Sequence, residues 1–172
     1  MLLRQFVIII LVAAVAGVGL NLVSPNRIDF IGKYRSLSSG DGPIVPPTAE
    51  PGDPPFISIE VAELEHSNYQ VVFIDARDAG EFVCGTIPGS VNIPFEYLPE
   101  GDLRPYIDSV LGGLPGDYHF IIFCSGEECD LSLHLGRTMQ ELGYTNLSIF
   151  FGGWREWVQF GLDVERRESC DG

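Results

Sequence analysis

The chain has 172 residues, with 24 acidic and 10 basic side chains and a formal charge of −14. That excess argues against nucleic acid and against anionic membrane surfaces as partners. The length suits one domain of ordinary size plus an appendage. Residues after 55 hold 20 acidic and 6 basic groups, which accounts for the whole net charge.

Phe6 to Val23 reads FVIIILVAAVAGVGLNLV, eighteen residues with one polar side chain, Asn21. A span needs about 20 residues to cross a hydrocarbon core of about 30 Å. Ala14-Val15-Ala16 fits a signal-peptidase pattern, but apolar residues continue after it, which favours an uncleaved signal-anchor over residues 1–23. The basic residues after the segment, Arg27, Lys33 and Arg35, outnumber Arg4 before it; taken alone, that count keeps the remainder cytoplasmic. Short N-terminal anchors usually export the rest of the chain, and four cysteines suit an oxidising compartment. The expectation is a membrane-anchored protein with an extracytoplasmic domain.

Residues 24–55 are expected to form a tether. Six prolines, Pro43, Pro46, Pro47, Pro51, Pro54 and Pro55, lie among Ser and Gly without hydrophobic periodicity, a composition that favours extended backbone. The globular part is expected over 56–168, with a short tail at 169–172.

Within it, Phe56-Ile57-Ser58 reads as a strand entry and Ser58 as the cap of a short helix. Val71 to Ile74 is a continuous apolar run ending on Asp75, the pattern of a strand buried on both faces. A helical turn over Ala76 to Val83, a loop from Gly85 to Gly89 and a brief strand at Val91 to Ile93 come next. Short helices are expected at Phe95 to Leu98 and Tyr106 to Leu111, and a turn from Gly112 to Asp117. His119 to Phe123 is the central strand. Leu131 to Leu142 is the clearest helix, with Gly143 as its stop. Leu147 to Phe150 is a further strand, and Trp154 to Phe160 a last helix. Strands alternating with helices imply an α/β fold with a central parallel sheet flanked by helices.

Cys124 closes the central strand and faces the start of the best helix. Open α/β sheets place ligand sites there, and a helix N-terminus favours an anion. The expectation is a thiolate at Cys124 with a lowered pKa. Backbone donors along Ser125, Gly126, Glu127, Glu128, Cys129 and Asp130 would cradle it, with Gly126 supplying the special turn conformation.

The residues Phe73-Ile74-Asp75-Ala76-Arg77, Glu81-Phe82 and Gly85-Thr86-Ile87-Pro88-Gly89-Ser90-Val91-Asn92-Ile93-Pro94, with Cys124 and Phe151-Gly152-Gly153-Trp154 further along, resemble a rhodanese-like domain. The likeness runs from about 56 to 165. It implies a cysteine that accepts sulfane sulfur as a persulfide and passes it to a nucleophile. Cys124 is the matching position. The partners implied are a small sulfur donor and a thiol acceptor, and no cofactor. Asp75 and Arg77 are expected to form a structural pair beside the site. Two departures stand out. Cys129 occupies a loop position where the family commonly has a basic residue, and Glu127, Glu128 and Asp130 surround it. Thr86 replaces the usual histidine. Carboxylates so placed should raise a thiolate's pKa and repel thiosulfate.

Two cysteines five apart across one loop also admit a disulfide or a resolving role for Cys129; packing under the helix is the other reading of Cys129. The spacing matches no metal site. His119 and His134 read as structural and His66 as solvated. Cys84 reads as a packed thiol near the site, Cys170 as an exposed thiol in the tail, and Trp154 and Trp157 as packing for the last helix. Three functions remain open: a sulfurtransferase, a non-catalytic module binding a partner through the acidic loop, and a dithiol redox protein.

Overall fold

Strand β1 (Val71–Asp75) lies at the centre of what the sequence builds, with β3 (His119–Phe123) paired parallel along its whole length. Strand β2 (Val91–Asn92) adds to the other edge of β1, and β4 (Leu147–Phe150) to the outer edge of β3. The order is β2-β1-β3-β4, all parallel. In this computed structural model the described residues are 5–6, 42–114, 118–167 and 170. The chain divides into two units, Met1–Ser36 and Leu37–Gly172; nearly all of the first lies outside the described residues, and so does the expected signal-anchor. Among the described residues no helix is long and apolar enough to cross a membrane. Residues 115–117 of the expected turn also lie outside them.

The helices are α1 (Ile59–His66), α2 (Ala79–Cys84), α3 (Leu103–Val110), α4 (Leu131–Glu141) and α5 (Gly153–Gln159), with a 3-10 turn at Phe95–Tyr97. Both sheet faces are covered, which is why β1 and β3 read as unbroken apolar runs rather than alternating ones. Alternate residues go to opposite cores. Ile74, Phe120, Ile122 and Ile149 pack with Leu135 and Met139 of α4; Phe73, Ile121, Phe123 and Phe150 pack with Trp157 of α5 and Ile59 of α1. Gly136 lets α4 approach closely, since a methyl group there would press on Ile149 and Pro54.

The tether expectation is corrected from residue 42 onward. Ile44 is buried in the core. Asp53 pairs with Arg137 of α4 at 2.7 Å, Arg137 also donates to the Thr48 carbonyl, and Gln140 donates to the Gly52 carbonyl. Proline-rich backbone loses little entropy on docking, so one buried isoleucine and a chelated arginine suffice to fix it. Phe56 is likewise a single bridge to Ile149 rather than a strand.

The strand order reverses between β1 and β3: the chain goes from β1 to one neighbour, then crosses to the other side. The crevice at such a reversal, beyond the C-terminal ends of the strands, is the usual ligand site of an open parallel sheet. Here it lies between Asp75 and Cys124.

Candidate active site

Cys124 comes directly after β3 and keeps its alternation, so its side chain enters the core on the α4 side. Two backbone bonds fix the loop from the opposite flank: Trp154 donates to the Cys124 carbonyl at 2.8 Å and Arg155 to the Ser125 carbonyl at 3.0 Å. That approach explains the paired glycines. Gly153 has φ +58°, and a Cβ there would overlap the Cys124 carbonyl oxygen. Gly126, at φ +143°, turns the loop, and the Cys129 amide closes it onto the Gly126 carbonyl at 2.8 Å.

The thiol chemistry differs from the sequence expectation. Cys124 has no exposed surface. Its Sγ donates to the Cys129 carbonyl at 2.7 Å and sits 4.0 Å from the Gly126 carbonyl, while Ser132 Oγ donates to it at 3.5 Å. Burial, and after it the neighbouring Cys129 thiol, pushes the Cys124 pKa well above its ordinary value. The expected lowering is therefore wrong for Cys124 and applies instead to Cys129. Cys129 is half-buried, in the residue before the N-cap position (Asp130) of the eleven-residue helix α4. Hydrogen bonding from Cys124, then from the Leu131 and Ser125 amides and the Ser125 hydroxyl, draws the Cys129 pKa down to about 6 against the opposing effect of burial. The Leu131 and Ser132 amides are among the helix's unpaired N–H groups; the first meets Cys129 and the second Cys124, but burial outweighs it at Cys124. The two thiols form a coupled pair with one easily lost proton.

The loop carboxylates do not produce these shifts. Glu128 points to solvent, and Asp130 accepts a bond from Thr48 at 3.1 Å. Among the expected cradle residues, Ser125 meets the Cys129 sulfur, Gly126 shapes the turn, and Cys129 carries the lowered pKa. Ser132, absent from the sequence expectation, touches Cys124. Its place on the first turn of α4 at the strand's end was the available signal.

Asp75 and Arg77 form a buried, bidentate ion pair, with Nη2 to Oδ2 at 2.6 Å and Nε to Oδ1 at 2.9 Å. Arg77 also donates to the Gly85 carbonyl at 2.7 Å and lies over the Trp154 ring at 5.1 Å. Thr86 donates to Asp75 at 2.8 Å and meets Ser90 at 2.8 Å. Here the threonine replacing the loop histidine completes the carboxylate's shell. The network touches the thiol loop at one point: Ser125 Oγ donates to Glu81 Oε1 at 3.3 Å, and Glu81 lies 3.7 Å from Arg77.

A cleft of about 720 Å³ adjoins this network, lined by Arg77, Glu81, Gly85, Trp154, Arg166 and a disulfide between Cys84 and Cys170. That disulfide corrects the reading of both residues as free thiols. The segment that delivers Cys170 runs back along the Gly85 loop, through the Thr86–Glu165 bridge and the Arg167 amide on the Val83 carbonyl. His66 is not solvated: it meets the Pro88 carbonyl at 2.9 Å and packs against Phe73 and Trp157. His119 bonds Ser148 at 2.8 Å, and His134 stacks on Phe95. Neither reaches the thiols.

Comparison with known proteins fits this geometry. The rhodanese-like domain model matches residues 59–160. The human thiosulfate:glutathione sulfurtransferase is 32% identical over 91 residues, 49% of this chain and 76% of that protein. The mouse thiosulfate sulfurtransferase/rhodanese-like domain-containing protein 3 is 27% identical over 106 residues, 58% of this chain and 65% of that protein, just under two thirds of its length. The solved structure of a human single-domain sulfurtransferase superposes with a TM-score of 0.50 at 27% identity, covering 61% of this chain and 96% of that one. The family model covers more than half of the chain and the parallel sheet accords with it: the chain belongs to the rhodanese-like domain family.

Proposed function

We propose that this protein is a sulfurtransferase that carries sulfane sulfur as a persulfide on Cys124 and hands it to a thiol. The observation that carries the reading is a pair of free thiols on one loop at the sheet's reversal point, with the Cys124 Sγ 2.7 Å from the Cys129 carbonyl; the lowered Cys129 pKa, about 6, accords with it. The Cys129 thiolate takes the Cys124 proton within the pair. The Cys124 thiolate then attacks the outer sulfur of a donor persulfide, RS–SH, forming Cys124–S–SH and releasing the donor thiolate, RS⁻. An acceptor thiolate removes the outer sulfur and restores Cys124. Burial leaves the Cys124 thiolate poorly solvated and therefore a strong nucleophile. Because Cys124 has no exposed surface, the loop must open to admit the donor.

The human relative named for thiosulfate and glutathione supports a thiol as acceptor. The acidic loop, with Glu127, Glu128 and Asp130, disfavours thiosulfate as donor by like-charge repulsion. A signal-anchor over 1–23, a tether over 24–41 and an extracytoplasmic domain complete the proposal. The Cys84–Cys170 disulfide supports an oxidising compartment.

The test is persulfide trapping with an alkylating agent present during incubation with a small alkyl persulfide, so that the persulfide is captured as it forms. The wild-type chain should carry one trapped sulfur atom on Cys124, and Cys124→Ser should carry none. A second reading, a non-catalytic module binding through the acidic loop, is favoured by the complete burial of Cys124. An unmodified wild-type chain in the same experiment would select it.

A further inference from the structure

We propose that Cys129 resolves the persulfide: its thiolate attacks the Cys124 sulfur, expels hydrosulfide and closes a Cys124–Cys129 disulfide. This activity, release of sulfide from a sulfane donor, rests on the reading of Cys124 as the sulfur carrier.

Access decides which thiol reaches which sulfur. The inner sulfur of a Cys124 persulfide lies in a closed pocket, bounded by the Gly126 and Cys129 carbonyls and the Ser132 hydroxyl. An acceptor from solution meets the outer sulfur first. The loop brings one other free thiol to the inner sulfur, that of Cys129, whose own carbonyl the Cys124 Sγ meets at 2.7 Å. The loop holds it there: Gly126 turns the chain, the Cys129 amide closes on the Gly126 carbonyl, and the Trp154 and Arg155 amides hold the Cys124 and Ser125 carbonyls. A nucleophile so placed reacts as an intramolecular partner, with an advantage that a dilute external thiol lacks.

Attack on the outer sulfur moves it from one cysteine to the other and back. Attack on the inner sulfur releases it. Hydrosulfide is the conjugate base of an acid stronger than an ordinary thiol, so it leaves readily. The balance is Cys124–S–SH plus Cys129–S⁻ giving Cys124–S–S–Cys129 plus HS⁻. The sulfane sulfur gains two electrons and the two cysteine sulfurs lose them. A dithiol reductant then returns the pair to its free state by exchange, becoming a disulfide itself. The Cys84–Cys170 bridge lines the cleft beyond Glu81 and takes no part.

The experiment loads the pre-reduced full chain with a small alkyl persulfide, removes excess donor anaerobically, and tracks sulfide and intact mass without added thiol. Wild type should release one equivalent of sulfide per chain and end two hydrogen masses lighter, with one peptide linking Cys124 and Cys129. Cys129→Ser, loaded for longer because its proton acceptor is gone, should keep the added sulfur on Cys124 and release none. Cys129→Ala repeats the measurement should the serine disturb the loop. Cys124→Ser supplies the blank for donor breakdown. A wild-type persulfide as durable as that of the Cys129 variants overturns the inference and leaves the sulfurtransferase reading standing. Failure of every chain to take up sulfur overturns both.

Discussion

Cys124 and Cys129 share one loop yet titrate in opposite directions, and the difference lies first in burial. Cys124 has no exposed surface, and burial outweighs the Ser132 amide and hydroxyl that meet its sulfur; Cys129 is only half-buried, and the Leu131 and Ser125 amides and the Cys124 thiol outweigh the burial it has. The largest single cause of the lowered Cys129 pKa is the hydrogen bond from Cys124. Iodoacetamide labelling of Cys129 should therefore reach half its maximal rate near pH 6, rising as pH passes upward through that value. In Cys124→Ala the midpoint should move up, toward the ordinary thiol range of about 8.5, and a midpoint that stays put would remove the coupling. The lowering is opposed by burial; Glu81, reached through Ser125, and Asp130 at the start of α4 are not among its causes. The sequence order of strand, cysteine, loop and helix located the reactive position to within the loop. It could not say which sulfur would be buried, because that depends on the turn at Gly126 and on strand alternation driving Cys124 into the core.

At the scale of elements, the thiol loop owes its shape to α5 as much as to α4. The two backbone bonds from Trp154 and Arg155 require the chain at Gly153 to lie against the Cys124 carbonyl, with φ +58° and no room for a side chain. Gly153→Ala therefore combines left-handed backbone strain with a clash against backbone, and should cost about 1–3 kcal/mol of stability, read from the urea midpoint. Gly161→Ala is the control: φ is +79° but nothing lies within 4 Å, so only the strain of about 1 kcal/mol applies. The Gly153 variant should also lose the low Cys129 midpoint, because the loop is displaced; the Gly161 variant should keep it. Strands β1, β3 and β4 and helix α4 were legible because apolar runs and helical spacing record burial directly. Helix α3 begins at Leu103, three residues before its expected start, because Asp102 caps it by accepting the Arg104 amide. The Asp75–Arg77 pair was legible as a pair. Its third and fourth partners, Thr86 and the Gly85 carbonyl, arrive from a loop whose path no local pattern encodes.

At the scale of the whole chain, contacts distant in sequence define the domain's edges. Residues 42–55 dock through Ile44 and the Asp53–Arg137 pair, and the C-terminal segment docks through Cys170 on Cys84. Composition marked the first stretch as a linker and the last as a tail; neither reading could see a partner more than eighty residues away in the chain. The disulfide joins cysteines 86 positions apart. In the chain-entropy model a loop of that size removes roughly 4–5 kcal/mol of unfolded-state freedom, and measured bridges more commonly contribute about 2–4 kcal/mol. Replacing Cys84 and Cys170 together by serine should lower stability by an amount in that range, read as a lower urea midpoint under non-reducing conditions. Adding a reductant should bring the wild-type chain to the same midpoint and leave the double variant unmoved. The bridge also pins the wall of the cleft, where Arg166 and Trp154 stand beside Glu81. The variant's Cys129 midpoint near pH 6 should nevertheless persist, because the groups that set it come from the 124–132 segment and owe nothing to Cys170. A shifted thiol titration in the double variant would instead mean that the C-terminal segment holds the site together.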